Sequence, residues 1–187
     1  MILVDQTWTC SGRVNLNLVK VTMRSSGSDA IRLSDGCTGR IGRIEVDTWR
    51  EDGVKVQNGS SAAARDLVVE SGYIRCHAIA NGAHQDGVQA MGGARITFRG
   101  LTIDCLGNSN FFVNRGGGGS TTPTSIVCDG CMLGPRSSTT IRINEASSSG
   151  ARNSSFCPGR NLTEFWGDPS SINVNNSILL RTDSRCR

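Results

Sequence analysis

The chain has 187 residues, 23 of them glycine, with 5% aromatics and a net charge of +4 in which 18 arginines stand against two lysines. No apolar run approaches the roughly 20 residues of a membrane span, and no window of ten or more residues sustains a helical period. The charge is modest and dispersed, without the basic patch and interleaved aromatics of a nucleic-acid binder, so neither membrane nor nucleic acid is an expected partner.

Met1 leads almost directly into Ile2-Leu3-Val4, which reads as strand and not as a charged n-region followed by an apolar h-region. Ile2 to Met23 carries alternating runs (Val14, Leu16, Leu18, then Val19, Val21, Met23) and is expected to form a first coil. A pattern then recurs as Asp29-Ala30-Ile31-Arg32-Leu33, Asp52-Gly53-Val54-Lys55-Val56, Asp86-Gly87-Val88-Gln89-Ala90 and Thr139-Thr140-Ile141-Arg142-Ile143. Repeats beginning near Ala30, Gly53, Gly87, Phe111, Thr140 and Thr163 give a basic unit of about 23 residues, with insertions in two units.

Each unit holds further short strands. Arg43-Ile44-Glu45-Val46, Leu67-Val68-Val69-Glu70, Ile96-Thr97-Phe98-Arg99 and Ser125-Ile126-Val127-Cys128 read as a second strand. Tyr73-Ile74-Arg75-Cys76 and Leu101-Thr102-Ile103-Asp104-Cys105 read as a third, and Leu67 to Cys76 aligns without gaps on Ile96 to Cys105. Three strands per unit, bounded by Gly, Ser or Asn, predict an all-β solenoid, a parallel β-helix of about six to seven coils of roughly 23 residues. An antiparallel sandwich would need tight hairpin turns, and the Ser-Ala-rich run after Asn58-Gly59 is too long for one. The domain expectation is a single unit over 1–187, with an N-terminal coil or cap at 1–29, regular coils at 30–162 and a C-terminal coil or cap at 163–187. Loops are expected at His77 to His84 and across Gly116 to Pro123. Trp166 is expected to cap one end, and Trp8 or Trp49 the other.

Eight cysteines in so small a chain favour disulfides and an oxidising compartment. Cys76 and Cys105 are equivalent by the ungapped match, Cys128 and Cys157 look equivalent through Cys-x-Gly, and Cys10 with Cys37 is a plausible pair, which leaves Cys131 and Cys186. Cys128-Asp129-Gly130-Cys131 lacks the second pair or nearby His of a zinc site, so no metal is expected there.

The outward middle position of the first strand is held by Arg32, Lys55, Gln89 and Arg142, and Asp29, Asp52, Asp86 and Thr139 stand just before it. Stacking sets an acidic column beside a basic one, with His84 and Gln85 next to Asp86. Carboxylates beside Lys or Arg suit elimination of an anionic polysaccharide, where a cation neutralises the uronate and a base removes a proton. Paired acids suit glycoside hydrolysis instead. The same Asp-Gly pairs also suit turns that bond their own backbone. The catalytic candidates are therefore Asp52, Asp86, His84 and Lys55, with Arg32, Gln85, Gln89, Arg115 and Arg142 as substrate contacts and Ca²⁺ as a possible ligand of the Asp column.

His84-Gln85-Asp86-Gly87-Val88-Gln89, followed by Ile96-Thr97-Phe98-Arg99-Gly100-Leu101-Thr102-Ile103, resembles the right-handed parallel β-helix proteins of the pectate-lyase-like superfamily. That resemblance implies a single-stranded right-handed parallel β-helix. It also implies an extracellular protein that binds or processes an acidic polysaccharide as a lyase or hydrolase, or else a virion-associated structural solenoid that assembles as a homotrimer or filament. The Asn-Thr-Asp and Gly-His-Gly motifs of polygalacturonases are absent.

Overall fold

The structure, a computed structural model, describes residues 1–25, 27–57, 62–77, 84–116, 122–158, 163–167, 172–180 and 186, with the backbone alone at 163–167, 172, 173 and 179. The chain winds as a parallel β-helix. The first coil is β1 (Ile2–Val4), β2 (Trp8–Cys10) and β3 (Arg13–Leu16); the second is β4 (Val19–Met23), β5 (Ile31–Leu33) and β6 (Thr38–Ile41). The third is β7 (Ile44–Thr48), β8 (Val54–Val56) and β9 (Arg65–Val69); the fourth is β10 (Gly72–Cys76), β11 (Asp86–Ala90) and β12 (Ala94–Arg99). The fifth is β13 (Leu101–Cys105), β14 (Ser109–Asn114) and β15 (Thr124–Asp129); the sixth is β16 (Met132–Leu133), β17 (Thr139–Asn144) and β18 (Ser149–Arg152). The last is β19 (Ser155–Phe156), β20 (Thr163–Gly167) and β21 (Ile172–Asn173), and β22 (Ile178–Leu179) starts another turn. Every third strand joins one sheet: β1, β4, β7, β10, β13, β16, β19 and β22 form sheet A, the series from β2 to β20 sheet B, and the series from β3 to β21 sheet C. All the pairings are parallel.

The in-register stack follows from which residues face inward. In sheet A the column runs Leu3, Val21, Val46, Ile74, Ile103, Leu133 and Phe156. In sheet B it runs Trp8, Ile31, Val54, Val88, Phe111 and Ile141, and in sheet C Leu16, Ile41, Val69, Phe98, Cys128 and Ala151. From the second coil to the sixth, all of these side chains are buried. Alternation of apolar and polar residues thus places one apolar set in a shared interior, at about 25 cal/mol per Å² of apolar surface removed from water. At the corner before β10 the backbone turns so tightly that Gly72 adopts φ 133°, and a Cβ there would collide with the Ile44 carbonyl.

The ungapped match of Leu67–Cys76 with Ile96–Cys105 is the observed register, Leu67 against Ile96 and Cys76 against Cys105. Other strand assignments shift. Arg43-Ile44-Glu45-Val46 does not share a sheet with Leu67 to Glu70: it lies in sheet A beside Tyr73 to Cys76, and Thr38–Ile41 takes the sheet C place. The stretch Ile2 to Met23 covers one coil and the opening strand of the next.

Disulfides join Cys10 to Cys37, Cys76 to Cys105, Cys128 to Cys131 and Cys157 to Cys186, which fits folding in an oxidising compartment. The apparent equivalence of Cys128 and Cys157 is corrected by the register, which sets Cys128 against Ala151. The coil is 23 residues long here, from Met132 to Ser155, six short of the spacing between those cysteines. No helix among the described residues is long and apolar enough to cross a membrane.

Of the tryptophans, Trp8 faces the interior of the first coil, whereas Trp49 stacks on His77 at 4.1 Å. The side chain of Trp166 lies outside the described residues, as do residues 78–83 and 117–121 of the two expected loops. Phe98 is fully buried with its ring edge against Phe111. Phe98→Ala is therefore expected to cost about 3–5 kcal/mol in chemical denaturation, against less than about 0.5 kcal/mol for Thr102→Ala on the exposed side of β13.

Candidate functional site

Sheet B aligns the expected columns. Thr9, Arg32, Lys55, Gln89, Phe112, Arg142 and Trp166 occupy one register position. Asp86 pairs with Ser109 and Ser109 with Thr139 at the strand entrance. Asp52 and Asp29 stand the same two residues ahead of Val54 and Ile31 as Asp86 does of Val88, so the three aspartates stack.

The carboxylates are not surface groups: Asp29 is 3% exposed, and Asp52 and Asp86 are 0% exposed. The reason is local. At this corner a backbone amide of the next coil has no strand partner, and an aspartate oxygen takes its place. Asp52 Oδ1 accepts the Asp86 N–H at 2.8 Å, and Asp86 Oδ1 accepts the Ser109 N–H at 2.8 Å. Elsewhere Asn110 Oδ1 accepts from Cys105 N and Ser154 Oγ from Cys131 N in the same manner. The outer oxygens meet cations. Arg32 Nε donates to Asp29 Oδ2 at 2.8 Å, and Lys55 Nζ lies 3.3 Å from Asp52 Oδ2 and 3.8 Å from Asp29 Oδ1. His84 Nδ1 lies 2.9 Å from Asp86 Oδ2.

Gln89 joins this group, its Nε2 donating to Asp86 Oδ2 at 3.2 Å and lying 3.1 Å from His84 Nδ1. One ligand atom each from Asp52, His84 and Asp86 fall within 4.8 Å of one another. Burial, then the neighbouring Asp86 charge, pushes the Asp52 carboxyl up to about 7, while Lys55 pulls it down. The hydrogen bond that Asp86 accepts from it holds the His84 imidazolium above its ordinary pKa, against partial burial.

His84 opens onto a cleft of about 230 Å³ lined by Asn108, Ser109, Ser138, Thr139 and Arg142. The Phe112 ring lies 5.7 Å from the His84 ring and 4.9 Å from the Arg142 guanidinium. The structure thus brings Asp52, Asp86, His84, Lys55, Gln89 and Arg32 into one connected group, with Arg142 two coils along. Gln85 is fully buried, its backbone carbonyl accepting from Asn108 N, so it offers no surface contact. Arg115 is exposed one residue beyond β14, at the far end of that strand from Ser109. Phe112 and Ser109 were hidden in the sequence. Both occupy column positions of the unit that begins at Phe111, and an apolar ring and a serine do not look like members of a charged column.

A second cluster lies on sheet A. Asp47 holds His77 Nε2 at 2.8 Å and accepts the Tyr73 hydroxyl at 3.0 Å, and Arg24 faces the Trp49 ring at 5.9 Å. Its groups satisfy one another.

No protein-family model, curated protein or solved structure matches the chain.

Because the Asp52 carboxyl is raised in the folded chain above its unfolded value near 4, its contribution to stability is lost as pH rises from about 4 through about 7. Asp52→Asn keeps an oxygen for the Asp86 N–H and removes the buried charge. In chelator-containing buffer the variant is expected to melt on the order of 5 °C above the parent at pH 8 and almost with it near pH 4. A lower melting temperature at pH 8 would mean that the Lys55 ion pair outweighs the burial cost.

Proposed function

We propose that this protein binds an acidic polysaccharide along the outer face of sheet B. The observation that carries the reading is the cleft between His84 and Arg142, lined by Asn108, Ser109, Ser138 and Thr139, on the same column as Arg32 and Lys55. Side chains one coil apart are about 4.8 Å apart, so Arg32 and Arg142, four coils apart, are separated by about 19 Å. A straight row of cations and hydrogen-bonding groups suits a straight polymer carrying a charge on each unit. The resemblance to pectate-lyase-like proteins points to the same substrate class, by analogy of fold.

Binding is better supported than turnover. The carboxylates Asp52 and Asp86, which elimination or hydrolysis would use, are sealed beneath the coil corner, and one oxygen of each is committed to a backbone amide. A proton acceptor has to reach the reacting atom, and these do not reach solvent.

A second reading, a subunit of a structural solenoid assembly, draws on another place. Strand β1 of sheet A leaves the apolar side chains of Ile2 69% and Val4 59% exposed on its outer face, a surface that a neighbouring chain can cover. Sedimentation of the purified protein checks it: a trimer or filament favours assembly, a monomer counts against it.

Affinity electrophoresis through polygalacturonate, alginate and a neutral glucan tests the main reading. Retardation is expected in one or both acidic gels, none in the neutral one, and a decline with added salt. Arg142→Ala is expected to weaken binding about tenfold, the scale of a single charge-assisted contact, without release of an unsaturated product. Free migration in both acidic gels would defeat the proposal.

A further inference from the structure

Around Asp86 Oδ2, three polar atoms crowd one point. His84 Nδ1 is 2.9 Å away, Gln89 Nε2 is 3.2 Å away, and these two nitrogens are 3.1 Å from each other. One ligand atom each of Asp52, His84 and Asp86 lie within 4.8 Å of one another. With a proton on Nδ1, His84 donates to Asp86 Oδ2 beside the Gln89 amide; with that proton gone, Nδ1 turns a lone pair toward the same carboxylate, and a metal ion can take the proton's place.

Gln89 supplies a second and independent indication. The residue is 6% exposed, and its Oε1 has no hydrogen-bond partner among the described residues. A buried amide oxygen left unpaired costs about 1–3 kcal/mol. The two ends of an amide have the same shape, and which end carries oxygen is an assignment made from the surrounding bonds. As placed, Nε2 faces His84 Nδ1 and Asp86 Oδ2 and donates to the carboxylate; turned over on metal binding, Gln89 exchanges that bond for an Oε1 aimed at the same point.

We infer that Asp52, His84 and Asp86, with Gln89 Oε1, form a binding site for a divalent transition-metal ion of the zinc class. One imidazole nitrogen, two carboxylates and an amide oxygen form the mixed nitrogen and oxygen set such ions take with four donors. Calcium, the ion first expected at the aspartate column, takes six to eight oxygens. Here Asp52 Oδ1 and Asp86 Oδ1 already accept backbone amides, and His84 contributes a nitrogen. Lys55 approaches Asp52 Oδ2 at 3.3 Å, so lysine and metal share that carboxylate. The half-exposed His84 ring gives the ion a way in from the cleft. Cys128 and Cys131 are bonded to each other and offer no competing thiolate pair.

The site goes beyond the polysaccharide reading and stands without it. The test is titration of chelator-stripped full-length protein with Zn²⁺ against a chromophoric chelator, with calorimetry for stoichiometry. One Zn²⁺ per chain is expected, weakened at least tenfold by His84→Ala and by Asp52→Asn. His77→Ala, which removes the other histidine with its own carboxylate partner, is expected to leave affinity unchanged. A hundredfold excess of Ca²⁺ is expected not to displace the zinc. His84 lies half-exposed ahead of β11, so His84→Ala is expected to fold, with circular dichroism as the check. The assignment is overturned by absence of stoichiometric binding, by equal affinity in His84→Ala, by loss in His77→Ala alone, or by displacement by calcium.

Discussion

Parallel stacking in register is the constraint on which everything else in this molecule rests. Each coil must return an apolar side chain to the height where its predecessor had one, because the interior is shared and only one side chain deep on each sheet. Ile74 over Val46 and under Ile103 in sheet A, and Val88 between Val54 and Phe111 in sheet B, show the rule at work. A shift of one residue would turn these side chains to solvent and bring Arg75 or Gln89 inward. Length can vary between strands, where corners and loops absorb it, but not within them.

The corners face the opposite problem. A strand's amides are paired by the next coil, whereas a turning backbone leaves some of them without a partner, and a buried amide without an acceptor is costly. This chain answers with short side chains that carry oxygen. Asp5 accepts from Arg24 N and Ser25 N, Asn110 from Cys105 N, and Ser149 from Ile126 N. Asp52 and Asp86 belong to this set, which is why they are buried. Their outer oxygens then need positive neighbours, which Lys55 supplies to Asp52 and His84 to Asp86. The charged group on sheet B is thus a structural solution that also assembles donors at one point.

Several arginines pair with carboxylates on the outer faces. Arg40 pairs with Glu70, Arg95 with Asp66, Arg136 with Asp104 and Arg152 with Asp129, each joining one coil to another. Pairs of this exposure contribute little stability individually. Arg142 faces the cleft with its guanidinium over the Phe112 ring.

The amino-acid order by itself determined the solenoid, its coil length and the alignment of Arg32, Lys55, Gln89 and Arg142, because a period-two alternation repeated at a near-constant offset leaves few other ways to bury Val, Ile and Leu. The ungapped likeness of Leu67–Cys76 and Ile96–Cys105 even carried the register that sets Cys76 against Cys105. What local pattern did not carry was the sheet to which Arg43–Val46 belongs, the partners of Cys128 and Cys157, and the depth of the aspartates. Each of these depends on how much backbone a corner consumes, and a corner's length and unpaired amides are settled only when the neighbouring coil is in place. Asp-Gly before a strand looks the same whether the carboxylate faces water or closes a gap between coils. Tertiary structure alone decided that Asp52 and Asp86 lie inside, with His84 the exposed member of their group.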